Sequence, residues 1–346
     1  MTNAIFVVTL ATAMAALFCW AFKTLPNERW QMIASVPLFK RQDGAWEGLN
    51  LTYYGFFSAT GTVLGIAVAL LLFASIGVSV VVGLTFAAIL IGICVPASRI
   101  VAAVVEGKRN TFTIAGAAFT AALLLPPLVW LAERLLRTAM ISIYTLTLLA
   151  AIAVAYALGE AIGRLACISF GCCYGLPLKH ASTLGARLFS KCHMIFHGTT
   201  KKVAYASGLE NEPLIPVQAL TSVIFGASGL LGLSFFLAQQ WRLAMIVPVV
   251  GTWGWRAVAE SLRADDRGNT KIPVYQAMSI IALAYLSAVA LALPAAGPVP
   301  NLTVGFSLFR FAGVILALQA FWTMLFLFYG RSRVTHSVVS FHVTSS

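Results

Sequence analysis

Charge is scarce in this chain. Of its 346 residues only 10% are Asp, Glu, Lys or Arg, against about a quarter in a soluble domain. A soluble globular protein of this length is therefore excluded. Acidic residues are the scarcest of the charges, 11 against 23 Lys and Arg. Six cysteines in so long a chain are too few for a disulfide scaffold. The apolar segments lack the period-2 alternation of a barrel strand, which leaves helices as the spanning element. The first apolar stretch, Ile5 to Phe22, lacks a basic leader and a small-residue cleavage site, so it reads as a retained span and not a signal peptide. No 20–50-residue period marks a repeat array. There is no GxSxG, no HExxH, no Walker loop and no GxGxxG in a nucleotide-binding context.

What is present is apolar. The chain is 60% hydrophobic, with a mean hydropathy of +0.90. Runs of about 20 apolar residues, the length that crosses a bilayer core as a helix, recur throughout. They predict an all-α polytopic membrane protein with about nine spans: 3–22, 53–74, 76–97, 112–133, 139–160, 214–238, 241–258, 274–296 and 303–329. Pro126 and Pro127 should kink the fourth. The tail after Arg333 is expected to fray.

Two polar loops are long, 23–52 and 161–213. If all nine runs cross, both lie on one side, together with 98–111, 259–273 and the C-terminus. That side receives every basic residue except Arg134, Arg137, Arg242 and Arg310. The net charge of +12 thus sits between apolar spans, where anionic lipid head groups and not nucleic acid are the expected partner. Taken alone, the asymmetry places this side in the cytoplasm.

Three constellations on that side could carry chemistry. The first runs from Gly159-Glu160 through Gly163-Arg164 and Cys167 to Gly171-Cys172-Cys173-Tyr174-Gly175. Arg164 at a membrane edge needs a partner or an anionic ligand, or else it snorkels to the interface. Gly171 and Gly175 permit close backbone approach. The second, Trp255 to Gly268, holds Arg256, Glu260 and Arg263 at helical spacing. Glu260 could orient one guanidinium and leave the other for a phosphate oxygen, or the three could form a self-satisfied interfacial cluster. The third, Leu51 to Phe57, opens the second span. It reads as an aromatic belt, or as a site for the Tyr54 hydroxyl at the mouth of a cavity. Cys167, Cys172, Cys173, Cys192, His180, His193 and His197 could in principle bind zinc. Their spacing fits no standard ligand pair, so no metal is expected, and each cysteine reads first as a small packing residue.

At these residues the sequence resembles the prolipoprotein diacylglyceryl transferase family of bacterial inner membranes. Gly163-Arg164 through Tyr174-Gly175 is similar to the family signature. Arg256 to Gly268 resembles its Arg-x-x-x-Glu-x-x-Arg block, and Leu51 to Phe57 the start of its first core helix. Ile215-Pro216-Val217-Gln218 is a weaker fourth patch. The likeness spans roughly 50–297. It implies a seven-helix core over 51–297 with the extramembrane loop 161–213, an additional N-terminal span and basic loop in 1–50, and an additional span and tail in 298–346. It implies transfer of a diacylglyceryl group from phosphatidylglycerol to a lipoprotein cysteine, with no cofactor. Arg164, Arg256, Glu260 and Tyr54 would be catalytic; Arg263, Gly175, Gly163, Cys167 and Gln218 would bind substrate. It also implies a site facing outward, and on this point the resemblance is followed over the count of basic residues. Departures are visible. Thr113 stands where the family has a His, and Cys167 and Cys172 stand where it has an Asn and an acid. Threonine is no base at neutral pH without help, so the acceptor could differ, or the chain could bind lipid without turnover.

Overall fold

The structure is a computed structural model that describes residues 2–105, 114–138, 144–265 and 274–339. Its elements in order are α1 (Thr2–Thr24), β1 (Met32–Lys40), β2 (Trp46–Thr52), α2 (Tyr53–Ser75), α3 (Val80–Val105), α4 (Ile114–Thr138), α5 (Thr145–Phe170), α6 (Thr183–Phe189), α7 (Lys202–Ser207), α8 (Val217–Leu237), α9 (Trp241–Val249), α10 (Trp255–Ser261), α11 (Val274–Ala292), α12 (Leu302–Ser307), α13 (Ala312–Tyr329) and β3 (Arg331–Val339). The protein is an all-α polytopic membrane protein. Seven described helices are long and apolar enough to cross a bilayer: α1, α2, α4, α5, α8, α11 and α13. The other two expected spans are α3 and the segment 241–261. In the latter, α9 and α10 are joined by a π-helical turn over Val250–Gly254. The helix α4 runs through Pro126 and Pro127 without ending.

The axis of the bundle is α5, enclosed by α2, α8 and α9. Its sequence is rich in Ala and Gly, and in lipid it is small residues that let helix backbones approach. Gly61 and Gly65 of α2 face Gly159 and Gly163 of α5. A Cβ on Gly61 would lie 2.6 Å from both the Gly159 carbonyl oxygen and the Gly163 amide nitrogen. Gly61, Gly65 and Gly159, at each of which a Cβ would press on the facing backbone, therefore set the α2–α5 distance. On the other flank, a Cβ on Gly229 of α8 would meet the Leu158 side chain at 2.8 Å.

The outer spans pack on this core. Met14 and Phe18 of α1 cover Gly226 of α8. The helix α13 lies against α2, where Trp322 donates its indole N–H to the Thr60 hydroxyl at 3.0 Å. None of α13 is buried, so its outer faces are left for lipid.

The polar side shows three features that the apolar runs did not reveal. The helix α5 continues ten residues beyond the expected end of the fifth span, so Arg164 and Cys167 are helical and not in a loop. The loop 23–52 contains a β-hairpin, and the tail expected to fray forms its third strand, in the order β1-β2-β3. Thr52 at the end of β2 donates its hydroxyl to the Gly330 carbonyl and accepts from the Gly55 amide, capping α2. The tail is thereby tied to the start of a core helix. Finally, the polar segment after α5 is folded. Thr200 donates its hydroxyl to Glu28 at 2.7 Å, and the Gln31 side chain donates to the Thr200 carbonyl at 2.8 Å.

Candidate active site

Tyr156, Glu160 and Arg164 lie one turn apart along α5, and the last two form an i, i+4 pair. The Arg164 Nη2 stands 3.1 Å from Glu160 Oε2. The same oxygen receives Arg256 Nη2 from α10 at 2.8 Å. That nitrogen also donates to the Tyr156 hydroxyl at 2.5 Å. Two guanidiniums from opposite halves of the chain thus meet on one carboxylate oxygen.

Arg256 is 8% exposed. Its guanidinium lies over the rings of Trp253 at 5.3 Å, Tyr156 at 5.7 Å and Phe225 at 5.8 Å. Such walls hold a guanidinium by cation–π attraction and keep water away. The π-helical turn immediately precedes it. An added residue there re-phases the helix, so that Trp253 and Arg256 both turn inward. The Arg256 Nε–H has no hydrogen-bond partner among the described residues. Two positive charges share one negative charge, which leaves the partly buried cluster net positive, with an unused donor on its buried member Arg256. A buried guanidinium is stable only when paired, so the cluster is suited to an anion.

The second block behaves as a brace. Arg263 binds Asp265 through two parallel contacts, Nε–Oδ1 at 2.7 Å and Nη2–Oδ2 at 2.6 Å, and meets Glu260 at 3.4 Å. Its backbone bridges to Gly175, and the Ala264 amide donates to the Tyr174 carbonyl at 3.0 Å. A Cβ on Gly175 would stand 2.3 Å from the Ile215 carbonyl oxygen. Glycine is required there because three strands of chain meet. The Gln218 side chain donates to the Cys172 carbonyl at 2.9 Å, holding the turn after α5.

The structure therefore brings Arg164 and Arg256 together. It gives Arg263, Gly175 and Gln218 places in the scaffold around them. Gly163 lies in the α2–α5 contact. The ladder expected within the second block survives as its Glu260–Arg263 rung, while the carboxylate shown on Arg256 is Glu160 of α5. Tyr54 packs edge-on against Phe170, with ring centroids 5.6 Å apart, beside the cysteine-bearing turn. Thr113 falls outside the described residues. Sequence reasoning missed Tyr156 and the bridging role of Glu160. The signal for Glu160 was its position four residues before Arg164; nothing local pointed to Tyr156.

The model of the prolipoprotein diacylglyceryl transferase family matches residues 45–293. The chain belongs to that family. Both arginines and the whole of the α5–α10 junction lie inside the match, so the protein is a membrane transferase of the diacylglyceryl transferase type. The helices α1, α12 and α13 lie outside it. No curated protein matches the chain.

A hollow of about 440 Å³ opens on the same side of the membrane. It is lined by Lys23, His193 and His197 and by the apolar Phe22, Leu220 and Val223. Ala219, Leu220 and Val223 of α8 face it, whereas Phe225 of the same helix faces Arg256. The first turns of α8 stand between this hollow and the arginine pair.

Proposed function

We propose that the protein transfers the diacylglyceryl group of an anionic, phosphatidylglycerol-like phospholipid in the bacterial inner membrane to an acceptor, of which a prolipoprotein cysteine is the leading candidate. Arg164 and Arg256 hold the lipid phosphate. Glu160 and Tyr156 position the guanidiniums, and Glu260 and Arg263 brace the end of α10. In the transfer the acceptor thiol sulfur bonds to the glyceryl carbon, the bond from that carbon to the phosphate oxygen breaks, and the thiol proton passes to water. Glycerol phosphate leaves with the bonding electrons. Negative charge grows on the leaving oxygen, and guanidinium contacts that tighten as it grows lower the barrier. The observation that carries the reading is the sharing of Glu160 by the buried Arg256 and the partly buried Arg164, with the Arg256 Nε–H left for a ligand oxygen.

The test is complementation of a strain depleted of its diacylglyceryl transferase, with Arg164→Ala and Arg256→Ala as controls. It is run beside release of glycerol phosphate from phosphatidylglycerol by the purified protein. Rescue by the wild type alone supports the reading. Release without rescue points to a different acceptor on the same scaffold, the alternative that Thr113 raises. Failure of both points to lipid binding without turnover.

A further inference from the structure

Cys167, Cys172 and Cys173 bring their Sγ atoms to within 4.8 Å of one another. The local chain path is built for this. The helix α5 ends at Phe170, Gly171 turns left-handed at φ 73°, and the Cys172 amide donates back to the Cys167 carbonyl at 3.1 Å. Cys173 is itself left-handed at φ 57°, a conformation that a residue with a Cβ adopts only under constraint. Two left-handed residues around Cys172 fold the turn onto the last turn of the helix. The turn is then fixed from outside by Gln218 on the Cys172 carbonyl and by the Tyr174–Ala264 backbone bond.

We propose that these three cysteines form a binding site for a thiophilic d10 metal ion, copper(I) or zinc(II), held by three thiolates. Sulfurs about 2.3 Å from a metal stand about 4 Å apart around it, a spacing that the cluster reaches with small side-chain rotations. Three soft ligands and no carboxylate or histidine in the group select a soft ion over magnesium or calcium. Cys167 is buried while Cys172 and Cys173 are partly exposed, so the site has a dry floor and an open side for the ion. Arg164 and Arg263 lie close enough to act electrostatically on Cys173, and Arg164 also on Cys167. These cations offset the negative charge of a thiolate cluster. The site adjoins the proposed phosphate site through Arg164, but metal binding by the three thiols does not require that the protein turn over lipid.

The experiment uses the full chain, purified in detergent under anaerobic, metal-free conditions. Zinc(II), and separately copper(I), are titrated against a chromophoric chelator. One ion per chain is expected. Affinity should fall in Cys167→Ser and Cys172→Ser by more than the roughly 10–100-fold that loss of an outer-shell partner costs, and should be retained in Cys192→Ser. In the wild type alone, bound metal should protect Cys167, Cys172 and Cys173 from alkylation while the exposed Cys192 stays reactive. This readout needs no variant to fold. Absence of stoichiometric binding, unchanged affinity in both cluster variants, or a disulfide among the three cysteines in protein taken directly from membranes would each overturn the proposal.

Discussion

Glu160 Oε2 stands 2.8 Å from Arg256 Nη2, joining residues 96 apart in the chain. Because Arg164 takes the same oxygen, this one carboxylate sets the separation and aim of both guanidiniums. Glu160→Gln keeps an acceptor but removes the charge, leaving the buried Arg256 and the partly buried Arg164 facing each other without it. The expected result is a stability loss of about 3 kcal/mol, the low end for removing one partner of a buried ion pair. Lipid turnover should fall well beyond that seen for Glu260→Gln. Thermal unfolding in detergent and glycerol phosphate release measure the two effects. A variant with wild-type stability and turnover would show that the bridge has no such role.

The α2–α5 contact predicts a contrast between two glycines. Gly61→Ala places a Cβ 2.6 Å from the backbone of α5, and the helices must separate. A loss of about 1–3 kcal/mol is expected for such overpacking, with reduced turnover because Arg164 shifts with α5. Gly163→Ala meets nothing within 4 Å and should keep its melting temperature. If Gly163→Ala nevertheless loses turnover, Gly163 touches substrate, as the family resemblance implies.

Lys201 predicts a pH dependence. Its side chain is fully buried, and its ammonium nitrogen donates to the Leu25 carbonyl at 2.9 Å and to the Ser169 carbonyl, tying the ends of α1 and α5 together. Burial lowers its pKa from 10.5 to about 7, partly offset by Glu28. Between about pH 7 and 10.5 the unfolded chain therefore binds more protons than the folded one. Stability should rise with pH across that window and be flat below it. A neutral amine still has donors for both carbonyls. Lys201→Met should remove this component of the slope, measured as the difference in melting temperature between wild type and variant from pH 7 to 10.

Orientation has a natural probe. Cys192 is exposed and lies on the polar segment that precedes α7, on the side where α5 and α10 end. If that side faces outward, a membrane-impermeant thiol reagent should label intact cells and lose most of its signal in Cys192→Ser. Labelling that appears only after lysis would place the site in the cytoplasm, as the distribution of basic residues suggests.

The spans were legible because the free energy of placing a side chain in lipid is local and nearly additive, so run length alone marks α1, α2, α8 and α11. The boundary of α5 was not. Its last turns carry Glu160, Arg164 and Cys167, residues that look extramembrane until their partners across the bundle are known. The strand of the tail was hidden for a similar reason, since β2 and β3 pair across some 280 residues of chain. The sequence by itself determined a multi-span helical protein with arginines near the polar ends of two helices. Only the tertiary structure decided that Tyr156 and Glu160 meet Arg256 and that three thiols converge on one turn. The physical reason is distance: a helix's own residues choose its existence and length, whereas a buried charge takes whichever partner the glycine-set packing of α2, α5 and α8 brings within about 3 Å.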